Sequence, residues 1–262
     1  MGMTIADLKV GSKLVFGSYG VGETLNPITW IKANRDGEFL SEFVLDMLKF
    51  DEEERNNPNY NKRYCGNGDY ELSNILQFLN SYEEDWYEPT HLYDASPGSY
   101  DRPYDRNGDY LLHAGFLNAF EDYEIESLSG RINLPTDANI YGVNGEPKFT
   151  LFNRKGFRGK PTFDLVHRRH GHGLDDHSFC EYWIVGYGSE AYQQMVVGRD
   201  GGRRNAYADS RMGIRPKCTI KPELEVEMLS DGSYRIVPFE ASIRRGPQVA
   251  TDDELLNLMG LL

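Results

Sequence analysis

Apolar positions along this chain come in short bursts separated by Gly, Pro, Asn and Asp, a pattern that predicts many short strands and few helices. Strands are expected over residues 12–16 and 28–33, followed by a turn at Arg35-Asp36-Gly37 and an apolar run over 39–50. Residues 51–70, DEEERNNPNYNKRYCGNGDY, carry no core-forming pattern and are expected to form a surface loop. Leu72, Ile75, Leu76 and Leu79 fall at helical spacing, and Leu111, Leu112, Phe116, Leu117 and Phe120 suggest a second helix. Between them, residues 81–110 are acidic, aromatic and rich in turn residues, as a loop that caps a ligand site, contacts a neighbouring subunit or is a solvated insertion would be.

Short strands are expected next at 132–135, 149–152 and 163–166, with a stronger one at 182–185. Residues 194–197 then run into Gly198-Arg199-Asp200-Gly201-Gly202, a hairpin-type turn, and Ile214-Arg215-Pro216 closes the set. Segments 223–228 and 233–238 flank Leu229-Ser230-Asp231-Gly232, a second hairpin signal. Thr251 and Glu254 have the spacing of a capping box, and the helix they open ends in LLNLMGLL. Such a short helix needs a partner, either its own domain or another subunit, and Leu255, Leu256, Leu258, Met259, Leu261 and Leu262 are its docking residues. The organisation read from this is one domain over 1–220, with an N-terminal part at 1–128 and a ligand-facing part at 131–220. A β-hairpin at 221–241 and a linker with docking helix at 242–262 complete the chain.

Charge narrows the partners. Forty-one acidic residues against 28 basic ones give a formal charge of −13, and no Lys/Arg run with interleaved aromatics offsets it, so nucleic acid is not an expected partner. No apolar stretch approaches membrane-spanning length, and the first residues lack a signal-peptide pattern. The expectation is synthesis in the cytoplasm without a classical signal and no membrane insertion, which a virion component would fit. Three widely spaced cysteines define no disulfide framework.

Candidate chemistry is sparse. In HRRHGHGLDDHSFC, His167, His170, His172, His177 and Cys180 could supply metal ligands, but the spacing matches no zinc signature and a polar surface loop is the expectation. No nucleophile elbow, P-loop or dinucleotide fingerprint is present, so no cofactor is expected. Paired acids are abundant among 41 carboxylates and decide nothing.

The segment over 182–216 is the most informative. Trp183, Val185, Val196 and Ile214 are expected to be buried. Between them lie Tyr187, Ser189, Glu190, Tyr192, Gln193 and Arg199, then Arg203, Arg204, Asn205, Tyr207, Asp209 and Arg211. Tyr offers large, rigid, amphipathic contact area, and Arg and Asn add adaptable hydrogen bonding; this composition resembles that of a binding surface.

Tyr182-Trp183-Ile184-Val185, Met195-Val196-Val197 before Asp200-Gly201, and Gly213-Ile214-Arg215-Pro216 together resemble the closing signature of an uncharacterised domain family common in gut bacteria and their phages. The likeness spans most of residues 9–220. That family is similar to C-type-lectin-like folds, including formylglycine-generating-enzyme relatives and the variable proteins of diversity-generating retroelements. The resemblance implies an α+β, loop-rich antiparallel sheet with two helices, in which Trp183, Gly213, Arg215 and Pro216 are scaffold and positions 187–211 meet a ligand. It also implies a non-enzymatic phage or prophage virion component, for receptor binding or for tail or capsid decoration. Its expected partners are a host-surface protein or glycan, copies of itself in an oligomer or larger assembly, and other virion subunits through the C-terminal helix. An enzyme on a formylglycine-generating-enzyme-like or glycan-active scaffold, and a purely structural packing protein, are the alternatives; the cysteine context of those enzymes is missing around Cys180 and Cys218.

Overall fold

The computed structural model describes residues 2–21, 24–98, 114–142, 145–150, 158–162, 165–166 and 179–238. The fold is α+β, dominated by two sheets. The six-stranded sheet is built around β1 (Lys13–Val21) and β2 (Thr24–Lys32), antiparallel with Leu14 opposite Trp30. β3 (Glu38–Ser41) pairs with β2. The five-stranded sheet contains β4 (Asp46–Lys49), β5 (Tyr182–Ile184), β6 (Gln193–Val197), β7 (Arg203–Tyr207) and β8 (Arg211–Ile214), in the order β4-β8-β5-β6-β7. β9 (Lys217–Thr219) returns to the first sheet beside β3. The hairpin of β10 (Val226–Met228) and β11 (Tyr234–Ile236) joins that sheet too, β11 lying parallel to β1.

The apolar run at 39–50 is thus two strands in different sheets, β3 and β4, and the chain crosses between sheets a second time from β8 to β9. The two crossings are tied together. Gly213 approaches Glu181 and Val44 so closely that a Cβ would stand 2.5 Å from the Val44 side chain. The buried Arg215 guanidinium donates to the carbonyls of Ser41 (3.0 Å) and Glu42 (3.2 Å) and lies 5.5 Å from the Tyr182 ring. This gives a physical reason for a Gly-Ile-Arg-Pro sequence at this place. The positions marked as scaffold, Trp183, Gly213, Arg215 and Pro216, are all buried.

β5 is buried on both faces, which accounts for its unbroken apolar sequence. Trp183 enters the larger core with Trp30, Phe16, Phe50 and Phe78, and its indole donates to the Leu48 carbonyl at 2.9 Å. Tyr182 and Ile184 face a second cluster with Leu40, Val44, Ile140, Phe149 and Val197. Val185 is only partly buried.

The helices are short. α1 (Tyr60–Cys65) is capped by Asn59, and α2 (Asn74–Leu79) by Ser73, just after a 3-10 turn at Tyr70–Leu72. Phe116–Ala119 is another 3-10 turn, followed by α3 (Asp122–Glu126); Leu111 and Leu112 lie outside the described residues. α4 (Asp137–Ile140) opens with a capping box between Thr136 and Asn139.

Several expectations are corrected. Residues 132–135 form only one isolated bridge, Asn133 to Lys217, Phe149 is a buried loop residue, and residues 165–166 are helical. The larger correction concerns 51–70. Asp51, Glu52, Glu54, Asn57 and Asn67 are almost wholly buried, and α1 lies in this stretch. The Asp51 carboxylate accepts from the backbone of Asn67 (3.0 Å) and Asn74 (3.1 Å). Glu52 takes Lys49 Nζ (2.6 Å) and the Gly98 amide (2.6 Å), and Glu54 bonds the Asn57 amide group. Burial drives the Asp51 carboxyl well above its usual range, against the pull of those two amides. The acidic loop after residue 80 completes this network. His91 Nε2 stands 3.2 Å from Glu54 Oε1, poorly aligned for a hydrogen bond, and Asp94 accepts from Asn74 (3.3 Å).

Candidate functional site

A cleft of about 880 Å³ opens where the loop between β5 and β6 faces the segment after α1 and the start of α4. One wall carries Tyr187, Ser189, Glu190 and Gln193. The opposite wall carries Lys62, Asn67, Asp69 and Glu71, and a third side is made by Thr136 and Asp137. Non-local hydrogen bonds hold the floor shut: Gly68 donates to the Ala191 carbonyl (2.9 Å), and the Gln194 amide donates to the Gly68 carbonyl (3.2 Å) while accepting from Gly186 (3.1 Å). Gly68 is required there, because a Cβ would lie 2.5 Å from the Gln193 carbonyl.

The twelve positions singled out from sequence fall into three groups. Tyr187, Ser189, Glu190 and Gln193 line the cleft. Tyr187 is 99% exposed, a whole aromatic ring in water at the cleft mouth. A second group forms a strip along β7. Arg203 pairs with Asp137 (2.8 Å) and lies over the Tyr141 ring, Arg204 pairs with Glu181 (3.0 Å), Asn205 donates to Ser189 (3.2 Å), and Tyr207 stacks on Tyr192. The remaining three do not join these surfaces. Arg199 is exposed on the β6–β7 turn, Arg211 pairs in register with Lys49, and Asp209 sits behind α1, its amide bonded to the Cys65 carbonyl (3.0 Å). Burial pushes the Asp209 carboxyl up to about 6; Lys49 opposes this, and Glu53 and Glu52 add to it.

Sequence reading missed the far walls. Asn67 and Asp69 belong to the stretch expected to form a surface loop, and Asp137 is marked as a site residue only by its place after the Thr136 cap. The walls are acidic: Asp69, Glu71, Asp137 and Glu190 face one base, Lys62, which is held by the Asn67 side chain (3.0 Å). Arg131 grips Glu71 through two bonds, of 2.9 and 2.6 Å, and Arg203 holds Asp137.

Among the described residues no group of three or more His, Cys, Asp or Glu is placed to hold a metal ion. His167, His170, His172 and His177 lie outside the described residues, as do Leu255, Leu256, Leu258, Met259, Leu261 and Leu262. Cys180 and Cys218 are buried, and burial raises both thiols, Cys180 to about 11, so neither offers a thiolate near neutral pH. No helix among the described residues is long and apolar enough to cross a membrane. No protein-family model matches this chain, and no curated protein or solved structure is significantly similar to it.

Proposed function

We propose that the chain is a non-enzymatic binding protein whose recognition surface is the cleft under Tyr187 together with the β7 strip beside it. The observation that carries this reading is Tyr187 itself, fully exposed at the mouth of a cleft whose floor is fixed by glycine contacts and buried amides. An aromatic ring held in water beside a preformed concavity gains contact area on binding at little entropic cost. The raised thiols of Cys180 and Cys218 weigh against thiol-dependent catalysis on the same scaffold.

The C-type-lectin-like scaffold and the role in a phage virion, with a host-surface protein or glycan as partner, extend this proposal on the strength of the sequence resemblance. Screening saccharides, peptides and small cations by fluorine NMR on fluorotyrosine-labelled protein tests the core of it. Binders are expected to move the Tyr187 signal, assigned through Tyr187→Phe, and to lose affinity on Tyr187→Ala. Binders that move only other signals and ignore Tyr187→Ala would remove the cleft from consideration.

A further inference from the structure

β7 is the edge of the five-stranded sheet: among the described residues it pairs with β6 and with no second strand. Its ladder runs from Gly198 donating to Gly202 (2.7 Å) to Ala208 donating to Tyr192 (3.1 Å). Antiparallel ladder bonds alternate, so Arg204 and Ala206 spend their backbone groups on β6, while Arg203, Asn205 and Tyr207 direct theirs away from the sheet. The Tyr207 carbonyl is taken by Ser210 (2.9 Å). Among the described residues the outward groups left are the amides and carbonyls of Arg203 and Asn205 and the amide of Tyr207, enough to seat an extended chain.

The same three residues share one side-chain face, and that face overlooks the cleft. Arg203 reaches Asp137 and Asn205 reaches Ser189, both of them cleft residues, and Tyr207 stands opposite Gln193. A strand laid along β7 therefore presents alternate side chains to the cleft. Charge selects which side chains. Glu71 is neutralised by Arg131 and Asp137 by Arg203, while Asp69 and Glu190 make no ion pair among the described residues and outnumber the one base of the walls, Lys62, which donates to Asn67. The strip's own arginines are answered by Asp137, Glu181 and Asp200 and do not repel an incoming base.

We infer that the β7 edge receives an extended peptide as an added strand, with a Lys or Arg side chain entering the cleft towards Asp69 and Glu190 and passing the Tyr187 ring. This rests on the binding reading above and names its ligand class. Backbone bonds along the edge supply register, and the two carboxylates supply preference for a cation.

An acetylated octapeptide of alternating Lys and Val serves as probe, with a Glu–Val octapeptide and spermidine as controls, titrated at low ionic strength. The Lys–Val peptide is expected to bind roughly tenfold or more tightly than the Glu–Val peptide, and to slow amide exchange at Arg203, Asn205 and Tyr207. Asn205→Pro removes an amide that β6 does not use and is expected to weaken the peptide about fivefold beyond Asn205→Ala, which loses the same bond to Ser189 but keeps the amide. The Asp69→Asn, Glu190→Gln double variant, which leaves the strand intact, should erase the preference for Lys over Glu. Binding without protection of those amides, or equal affinity for the two peptides, overturns the inference. Either outcome leaves the Tyr187 test standing on its own, since that test scores any ligand of the cleft.

Discussion

The Arg215 guanidinium donates to the Ser41 carbonyl at 3.0 Å, joining the two places where the chain passes from one sheet to the other. The cation is buried, and among the described residues the Ser41 and Glu42 carbonyls and the Tyr182 ring lie against it. Arg215→Lys keeps the charge but loses the planar fork that reaches both carbonyls, and it is expected to cost about 2–4 kcal/mol. Arg215→Met removes the charge and leaves the Ser41 and Glu42 carbonyls short of donors, for a similar loss. Urea unfolding midpoints of both variants decide; a change below about 1 kcal/mol would mean that the crossings hold without this residue.

Trp183 makes the analogous bond to Leu48 within the larger core, where it also meets Phe50 edge-to-face at 5.4 Å between ring centres. Trp183→Phe should cost about 1–3 kcal/mol through the lost indole hydrogen bond and the lost volume, and Trp183→Ala about 3–5 kcal/mol. Thermal unfolding of the two variants side by side checks the order.

At Gly17 the first strand bulges with φ of 63°, and the Phe120 ring lies where a side chain would begin, 2.3 Å from a Cβ. The Gly17 amide is also bonded to Glu124 at 2.8 Å. Gly17→Ala is therefore expected to destabilise by about 2 kcal/mol or more, from backbone strain and from displacement of the ring. A neutral effect in calorimetry would show that Phe120 moves freely.

Asp209 gives a pH signature. Its carboxyl titrates near 6 in the folded protein but near 3.9 unfolded, so between those values the folded state holds a proton that the unfolded state has released. Its contribution therefore favours folding as pH falls from about 6 towards about 4, and is unfavourable above that window. Asp209→Asn should raise the melting temperature near pH 7.5 and shrink that gain as pH is lowered through the window. Because other carboxyls, such as Asp7 and Glu71, are shifted downward, the test is the difference between variant and parent across pH; a constant difference refutes it.

Truncating Tyr187 should separate binding from folding. With the ring fully in water, Tyr187→Ala is expected to change stability by less than about 0.5 kcal/mol. Its loss of ligand affinity should be roughly tenfold or more. A large stability loss measured by circular dichroism would instead mark the ring as a packing element.

The strands at β5, β6 and β11 were legible because each has its own local signal: an apolar burst, a Gly-bearing turn, a partner a few residues away. What failed was the rule that polar means exposed. Asp51 is buried because backbone amides 16 and 23 residues further on satisfy it, and no local pattern announces bonds at that distance. The same blind spot hid half of the cleft. Tyr187 and its loop could be picked out by composition, but Asn67 and Asp69 become a wall only after the polar network has folded them against Gln194. Residues 132–135 failed the other way: a pattern suited to a strand makes one isolated bridge, Asn133 opposite Lys217, and the next bridge, Thr136 opposite Val185, comes just beyond it.

The parallel pairing of β11 with β1 has a consequence for how the protein is made. Leu14 and Tyr234 are register partners, so the first strand waits for one of the last before its second edge is covered. On the ribosome, β1 and β2 can meet early, yet one flank of that hairpin stays open until nearly all the described chain has emerged. Completion of the sheet is thus a late, long-range event, and slow synthesis prolongs the interval in which an open flank can recruit the wrong strand.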